Sequence, residues 1–463
     1  MLKRFNVKNF LSFSEREDGY SEEFSMIPGN ARYKKEHLYT NGTEKVLKFA
    51  AIYGANAAGK SNVVKALDFM RKVICMGIPK RITEKYCKTD IANKEKPSYF
   101  EVELILDNHN YSYGFEIILS QGKIVSEWLV EFKSDNSEKE LFVRDVEHGT
   151  CNILGWNQNK VLSERLDIFG QQIAEDTSIL FLSEMNRNKN KFYVEFPDAQ
   201  ILNKIYKWFE KSLDINLPDE PISNYFYLGK GDNVDEICRM IAAFGTGITN
   251  YAVVNVGKEK LLDGMSPENR NDLEELIERF LMKINAFPDD NRGIRMFLRS
   301  RKEFFIVSLE KDQKPKFETI RFYHGNKEFT FGLDEESDGT IRLLDLLEVL
   351  LSDEEKTYVI DELDRCLHPC LTYKFIETFL NVMRKKNIQL IVTTHESRLL
   401  DFDLLRRDEI WFVDKRKTGE SDIYSLEEYN TRLDFKIDKA YLEGRYGGVP
   451  IFSTLFPVKE TYE

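Results

Sequence analysis

The sequence predicts an α/β protein in which both ends of the chain contribute to one domain with a parallel β-sheet. Short apolar segments at residues 47–53, 358–360 and 388–393 alternate with segments of helical periodicity, which is typical of parallel strands joined by helices. Residues 98–331 lack this alternation. We therefore expect the middle of the chain to be inserted into the α/β domain.

The first parallel strand is predicted at residues 47–53, where an apolar run ends at a glycine-containing loop. After this loop, apolar residues recur at helical spacing, namely Val63, Leu67, Met70 and Ile74. Strand, glycine loop and helix therefore follow one another directly. The arrangement is that of a phosphate-binding unit.

The middle of the chain divides into two kinds of segment. Residues 98–145 contain β-rich runs separated by turns, which predicts an antiparallel meander. Helical periodicity predicts a mostly helical insertion, in the segments 199–213, 233–244 and 266–286. Strand-like segments return at 294–331. We expect residues 1–190 and 294–463 to form the two parts of the α/β domain, and 191–293 to form the insertion.

Composition excludes several classes of protein. The 463 residues are 42% hydrophobic, which suffices for real cores, and the net charge of −12 argues against bulk packaging of DNA. The six cysteines show no C-x-x-C spacing, so free thiols are expected. The sequence has neither an apolar run of about 18 residues nor a signal-peptide pattern, from which we expect a cytoplasmic protein without a membrane span.

Residues 54–61 fit the pattern G-x-x-x-x-G-K-[ST] in full. Glycines let the backbone approach closely enough for its amides to hold phosphate oxygens at a helix N-terminus. The lysine of this pattern reaches the β- and γ-phosphates, and the serine ligates Mg²⁺. We assign nucleotide binding to Gly54, Asn56, Gly59, Lys60 and Ser61, with Ser61 also a Mg²⁺ ligand.

Two carboxylates, Asp361 and Glu362, follow the predicted strand at 358–360. Ligands of open parallel sheets bind at the carboxyl ends of the strands. Asp361 can hold Mg²⁺, and Glu362 can polarise the water that attacks a γ-phosphate. The alternative is a strand that ends at a solvated turn. His395, at the end of the next strand, is either a second catalytic residue beside Asp361 or a structural histidine.

Residues 337–340, with the sequence Ser-Asp-Gly-Thr, precede a helix that is apolar on nearly every face and is therefore expected to be buried. Ser337 is predicted to cap this helix, with Gly339 in its first turn.

These motifs together resemble the ABC-type ATPases, in the branch that includes RecF, the cohesin-type SMC proteins and the OLD nucleases. Residues 54–61 resemble Walker A, 336–340 a degenerate signature motif, 359–362 Walker B with the catalytic glutamate, and His395 the switch histidine. Residues 7–13 are similar to the family's first strands, which lie near the adenine. The resemblance implies an ABC-type P-loop ATPase head with an antiparallel β subdomain, and ATP and Mg²⁺ as cofactors.

In that family the signature of one subunit completes the ATP site of another. The resemblance therefore implies that Ser337, Asp338, Gly339 and Thr340 act in trans, and that a dimer is the smallest homo-oligomer. Asp364 and Arg365 fall where the family's D-loop lies. The signature lacks the L-S-G-G-Q form, and no glutamine is identifiable as the Q-loop residue. A metal site at Cys366, His368 and Cys370 is not expected, because the spacing does not suit zinc.

Within the class the sequence is most similar to ATPases of prokaryotic anti-phage and abortive-infection systems, in particular the ATPase subunit of PARIS systems. Residues 408–415 and 439–450 carry this likeness. It implies a sensor or scaffold that restrains a separate Toprim-type effector until a phage-encoded trigger is sensed. Only 68 residues follow His395, too few for a Toprim domain in the same chain.

The competing interpretation is a RecF-like, ATP-dependent DNA clamp that acts in DNA repair. Arg295, Arg299 and Arg301 would share one face of a strand and could contact phosphates. A row of charges is more often a solvated face, so DNA is an open but less favoured partner.

Overall fold

The fold was analysed in a computed structural model. It describes every residue except 17, 32, 43, 134, 136, 219, 223–224, 230–233, 264, 287–292, 301, 430–436 and 449–463. The chain forms two compact units. The first comprises Met1–Ile215, Glu354–Leu363 and Leu380–Glu463, and the second Asn216–Asp353 and Asp364–Phe379. Residues 191–215 thus lie in the first unit, and 294–353 in the second.

The described strands are β1 (Leu2–Lys8), β2 (Glu22–Ser25), β3 (Leu38–Asn41), β4 (Glu44–Leu47), β5 (Phe49–Tyr53), β6 (Ser98–Leu106), β7 (His109–Ile118), β8 (Lys123–Phe132), β9 (Glu138–Asp145), β10 (Thr150–Ile153), β11 (Leu213–Asn216), β12 (Asn250–Asn255), β13 (Ile294–Arg299), β14 (Phe304–Leu309), β15 (Lys316–Tyr323), β16 (Thr357–Ile360), β17 (Gln389–Thr393), β18 (Ile410–Lys415) and β19 (Ser421–Ser425).

The described α-helices are α1 (Lys60–Met76), α2 (Lys160–Ile173), α3 (Phe181–Asn186), α4 (Asn190–Glu195), α5 (Gln200–Lys207), α6 (Phe226–Gly229), α7 (Val234–Ala243), α8 (Lys258–Leu262), α9 (Pro267–Ala286), α10 (Asp338–Leu351), α11 (Pro369–Val382) and α12 (Ile437–Leu442).

The parallel sheet of the first unit has the strand order β11-β16-β17-β5-β18-β19. Strands β16, β17, β5 and β18 run parallel to one another, and β19 is antiparallel to β18. Every residue of β5, β16 and β17 is buried, as expected for a parallel sheet covered on both faces. The prediction that both ends of the chain supply one parallel sheet is confirmed.

A second sheet of the first unit is antiparallel, with the order β10-β9-β8-β7-β6-β1-β2. Its centre is the predicted meander, in which β6, β7, β8 and β9 pair consecutively. The N-terminal strand β1 pairs with β6, more than 90 residues later in the chain. The α/β class with an antiparallel subdomain is therefore the observed fold.

The second unit is built on the antiparallel sheet β12-β15-β14-β13. Helices α8 and α9 pack against this sheet through a buried apolar cluster, formed by Leu261, Leu273, Ile277, Ile284, Phe305, Val307 and Leu309. The helical periodicity predicted at 233–244 and 266–286 corresponds to α7 and α9. The strand-like segments predicted at 294–331 correspond to β13, β14 and β15.

A buried ion pair supports the antiparallel sheet. The side chains of Glu127 and Arg144 are both 0% exposed and lie 3.6 Å apart. Glu127 accepts hydrogen bonds from the first-turn amides of α3, Phe181 N at 2.5 Å and Leu182 N at 2.9 Å. Arg144 donates to the carbonyl oxygens of Ile173, Asp176 and Ile179. The pair therefore fixes the segment between α2 and α3 to the sheet.

Removing one member of a buried, hydrogen-bonded pair leaves the other charge uncompensated. We expect Glu127→Ala to lower the free energy of unfolding by about 3–5 kcal/mol, measured by urea denaturation. The control is Glu164→Ala, which removes an exposed carboxylate 3.9 Å from Lys160 and should leave stability nearly unchanged. Equal stability of Glu127→Ala and the wild type would contradict a supporting role for the pair.

Candidate functional site

The phosphate loop, residues 54–59, connects the end of β5 to the start of α1. A Cβ atom on Gly54 would lie 2.4 Å from the carbonyl oxygen of Val413, and one on Gly59 would lie 2.5 Å from Ser421 Oγ. Gly59 also has a φ of +118°, which strains any residue with a side chain. Both glycines of the motif are therefore required by the close packing of the loop against β18 and β19.

Lys60 is the first residue of α1, and it is only 7% exposed. Its Nζ donates hydrogen bonds to the carbonyl oxygens of Gly54 at 2.8 Å and Ala55 at 3.1 Å. Asn56 lies on the exposed part of the same loop. The ammonium group is thus held at the loop, where phosphate oxygens could replace its carbonyl partners.

The loop is supported by side chains that the sequence motifs did not indicate. Ser421 Oγ, at the start of β19, lies 2.5 Å from the carbonyl oxygen of Ala58 and 2.8 Å from Ser12 Oγ. Asn62 Nδ2 donates to the same Ser12 oxygen at 2.8 Å. Segments more than 400 residues apart in the chain therefore brace one turn. Single serines in these contexts carry no recognisable pattern.

The Asp361 carboxylate connects the acidic pair to the helix start that follows the phosphate loop. The carboxylate is 1% exposed, and its Oδ1 accepts from Ser61 Oγ at 3.1 Å and from Thr393 Oγ1 at 2.5 Å. Strand β17 lies between β5 and β16, so Thr393 at its end reaches Asp361 on the neighbouring strand. Thr393 was not among the predicted site residues. A polar residue that ends an apolar strand is the one signal that could have indicated it.

Glu362 has a left-handed backbone conformation with a φ of 51°. Its backbone amide donates to Thr393 Oγ1 at 2.8 Å, and its side chain is half-buried. A left-handed conformation costs a residue with a Cβ about 1–2 kcal/mol. Thr393 therefore orients both carboxylates, Asp361 through its side chain and Glu362 through its backbone.

His395 lies two residues beyond the end of β17, and its side chain is exposed. The strand ends at Thr393 rather than at His395, because the parallel pairing with β5 stops at Thr393 opposite Ile52. A catalytic role of His395 stays a prediction.

The predicted signature residues belong to the second unit. Ser337 caps α10, as predicted, and its Oγ accepts from the Thr340 amide at 3.1 Å and lies 2.9 Å from Thr340 Oγ1. Asp338 and Gly339 form the first turn. A Cβ on Gly339 would lie 2.9 Å from the carbonyl oxygen of Cys366, so glycine is required here for close packing.

The D-loop candidates Asp364 and Arg365 lie in the same unit as the signature residues, in the turn before α11. Cys366 and Cys370 are exposed in this segment. Within the part of the chain that the structure describes, no three His, Cys, Asp or Glu side chains are arranged to hold a metal ion.

The arginine row predicted on β13 is only partly an exposed surface. Arg299 is 1% exposed, and its Nη2 pairs with Asp345 Oδ1 at 3.2 Å. Its guanidinium also lies over the ring of Tyr225, 4.2 Å from the centroid. Arg295 is exposed and donates to the carbonyl oxygen of Gly229, whereas Arg301 lies outside the described residues. Internal groups thus bind the Arg299 guanidinium, and contact of this row of arginines with nucleic acid stays a prediction.

The first-unit residues fit a nucleoside triphosphate with Mg²⁺. The surroundings of the loop leave no room for a side chain at either glycine, and the loop leads directly into the 17-residue helix α1. The unsatisfied amides at such an N-terminus favour phosphate. Ser61 Oγ and the Asp361 carboxylate supply adjacent hard oxygen atoms, the type of ligand that Mg²⁺ prefers.

Comparison with known proteins gives one family and several similar structures. No curated protein matches the chain. The solved structures include the SmcHead bound to the C-winged helix domain of ScpA, with 12% identity, a TM-score of 0.42 and coverage of 92% of this chain and 97% of that chain. The SMC head domain from Thermotoga maritima has 13% identity, a TM-score of 0.34 and coverage of 92% and 98%.

A third similar structure is the Smc head domain with an extended coiled coil bound to the C-terminal domain of ScpA derived from Pyrococcus furiosus. It has 15% identity, a TM-score of 0.30 and coverage of 96% of this chain and 99% of that chain. None of the helices in the described part of the chain is both long and apolar enough to cross a bilayer.

The family model described as "AAA domain, putative AbiEii toxin, Type IV TA system" matches residues 49–152 and 267–401, which is more than half of the chain. The matched ranges contain the phosphate loop, the signature residues, the acidic pair and His395. The chain is therefore a member of this AAA domain family.

Proposed function

We propose that this protein binds ATP with Mg²⁺ and hydrolyses ATP to ADP and phosphate. The observation that carries the proposal is the hydrogen bond between Ser61, which directly follows the phosphate loop, and Asp361 of the acidic pair. Thr393, on the strand between them, donates a second hydrogen bond to Asp361. This contact brings a phosphate-binding loop and a candidate general base to one edge of the parallel sheet.

In this proposal each residue has a distinct role. The backbone amides of residues 54–61 and the Lys60 ammonium bind the β- and γ-phosphates. Ser61 and Asp361 would hold Mg²⁺, which neutralises phosphate charge when bound. Glu362 accepts a proton from the attacking water, and His395 contacts the γ-phosphate or that water. Thr393 acts on the reaction through the two carboxylates that it orients.

The signature residues act on the nucleotide of a second copy in this proposal. Ser337 caps α10 and Gly339 lies in its first turn, whose amides and dipole favour an anion. A homodimer is then the smallest active assembly, and larger homo-oligomers are compatible with the same interface. Asp364 and Arg365 would take part in this contact as the D-loop.

The biological role that we propose is control of a separate effector, a Toprim-type nuclease, in cytoplasmic anti-phage abortive-infection defence. The protein would act as sensor and scaffold, with a phage-encoded protein as the trigger. Two observations support the proposal, the sequence likeness of residues 408–415 and 439–450 to defence ATPases, and a family description that names a toxin of a type IV toxin–antitoxin system. The last two residues of the second segment, Val449 and Pro450, lie outside the described residues.

Lys60→Ala removes the ammonium group that binds phosphate. We expect the affinity for ATP with Mg²⁺ to fall about 10- to 100-fold, because a charge-assisted hydrogen bond contributes about 1.5–3 kcal/mol. Isothermal titration calorimetry measures the change. Lys65→Ala, which alters an exposed lysine of the same helix, is the matched control and should bind like the wild type. Unchanged affinity of Lys60→Ala would exclude residues 54–61 as the nucleotide site.

Glu362→Gln removes the proposed general base but keeps the size of the side chain. We expect ATP hydrolysis to fall at least about 100-fold while ATP binding persists, which traps ATP-bound assemblies. Thr393→Val should lower the rate about tenfold, because it removes the hydroxyl that bonds the Asp361 carboxylate and the Glu362 amide. Phosphate release measures both effects, and Glu354→Gln, at a 76% exposed side chain, is the control. Hydrolysis by Glu362→Gln at the wild-type rate would refute the assignment.

The partner proposal is tested by native mass determination of the protein expressed with its genomic neighbours. The comparison needs ATP present and absent, and Glu362→Gln alongside the wild type. We expect a homo-oligomer that carries a second polypeptide, which a phage protein releases. A monomer that dimerises only with ATP and DNA, and whose DNA binding depends on salt, would instead establish the DNA-clamp function.

A further inference from the structure

The C-terminal segment, residues 437–448, lies beside the phosphate loop, and the nucleotide-binding motif gives no reason for this. It begins with α12 and ends in a turn that contains Tyr446, Gly447 and Gly448. Within it, Tyr441, Tyr446 and Gly448 are buried, whereas residues 442–445 are exposed. The Tyr441 and Tyr446 side chains therefore face the interior of the first unit, to which the segment belongs, and residues 442–445 face solvent.

Tyr441 links this segment to the beginning of the phosphate loop. Its hydroxyl donates to the carbonyl oxygen of Gly448 at 3.1 Å, in a buried environment. Burial raises the pKa of Tyr441 to about 12, and the nearby backbone of Gly54 acts against this rise. The hydroxyl group thus lies between the first residue of the loop and the end of the segment.

Aromatic packing fixes the position of the Tyr441 ring. The ring stacks on Phe412 of β18 at 5.7 Å, with 25° between the planes. It also meets Tyr53, the last residue of β5, edge to face at 5.7 Å. Tyr446 stacks on Phe412 at 5.8 Å. Because both neighbours belong to the parallel sheet, the hydroxyl is held at a defined place relative to the loop.

The glycines of the segment permit a close approach to the loop. A Cβ on Gly448 would lie 3.2 Å from the Cα of Gly54, and the φ of Gly448 is +67°. A Cβ on Gly447 would lie 2.5 Å from Tyr424 Oη. Gly444 has a similar φ of +76°, yet a Cβ there would have no atom within 4 Å. Backbone contact with the loop is therefore specific to the end of the segment.

We propose that Tyr441 is a positioning residue of the nucleotide site, which holds Gly54 and the phosphate loop in the phosphate-binding conformation by fixing Gly448 against them. The inference rests on the proposed function, since it concerns affinity for the same nucleotide. The C-terminal segment is then a structural part of the ATP site.

The first test is Tyr441→Phe, which removes only the hydroxyl. We expect the dissociation constant for a β,γ-imido ATP analogue with Mg²⁺ to rise roughly three- to tenfold, the loss that one hydrogen bond accounts for. Tyr193→Phe is the matched control, because the Tyr193 hydroxyl also donates to a buried carbonyl, that of Met185 at 3.0 Å, in the same unit. It should lower thermal stability without changing nucleotide affinity.

The second test compares Gly448→Ala with Gly444→Ala. Both changes place a side chain at a left-handed position, but only the first would push on Gly54. We expect Gly448→Ala to weaken binding of the analogue at least as much as Tyr441→Phe, whereas Gly444→Ala binds like the wild type. Melting temperatures without nucleotide show whether each variant is folded.

Lys60→Ala in the same titrations distinguishes failure of the positioning role of Tyr441 from failure of the ATP site itself. If Lys60→Ala loses affinity while Tyr441→Phe and Gly448→Ala bind like the wild type, the positioning role is wrong and the ATP site stands. If Tyr193→Phe or Gly444→Ala weakens binding as much as its partner variant, the effect is general destabilisation, which also overturns the proposal. If the wild type does not bind the analogue, the proposed function fails and the positioning role fails with it.

Discussion

The hydrogen bonds to the Asp361 carboxylate are the constraint on which the candidate site depends. Asp361 directly follows β16, Ser61 follows the phosphate loop after β5, and Thr393 ends β17, which lies between these two strands. A parallel sheet aligns the carboxyl ends of its strands, so three distant segments deliver polar groups to one edge. The same hydroxyl of Thr393 also accepts a hydrogen bond from the Glu362 backbone amide. Burial makes this geometry demanding, because each polar group there needs a partner.

The surroundings of the phosphate loop make it a rigid receptor. Ser421 bonds the carbonyl oxygen of Ala58 in its turn, Ser12 bonds Ser421 and Asn62, and the C-terminal segment meets Gly54. Preorganisation of this kind lowers the entropic cost of binding a ligand. The loop therefore depends on residues from both ends of the chain, which the parallel sheet already joins. Fold and nucleotide site share the same requirement, since disrupting the pairing of β5 with β17 or β18 would displace both.

The two compact units divide the functional groups between them. The phosphate loop, the acidic pair and His395 belong to the first, and the signature residues with the D-loop candidates belong to the second. Neither unit is continuous in sequence, because residues 354–363 and 364–379 alternate between them. The boundary falls directly after Leu363, two residues beyond Asp361. In the sequence, the acidic pair is thus separated only by Leu363 from residues 364–379, the last segment of the second unit.

The sequence by itself determined the features that depend on local patterns. The glycine loop, the cap at Ser337, the alternation of strands and helices and the position of Asp361 at a strand end could all be read from periodicity and motif spacing. Tertiary structure decided the rest. Ser12, Thr393, Ser421 and Tyr441 lie at the site only because sheet pairing brings remote segments together, and single polar residues carry no sequence signal. Tertiary structure also decided that Arg299 pairs internally with Asp345, because a row of charged residues on a strand does not reveal which side chains will pack against it.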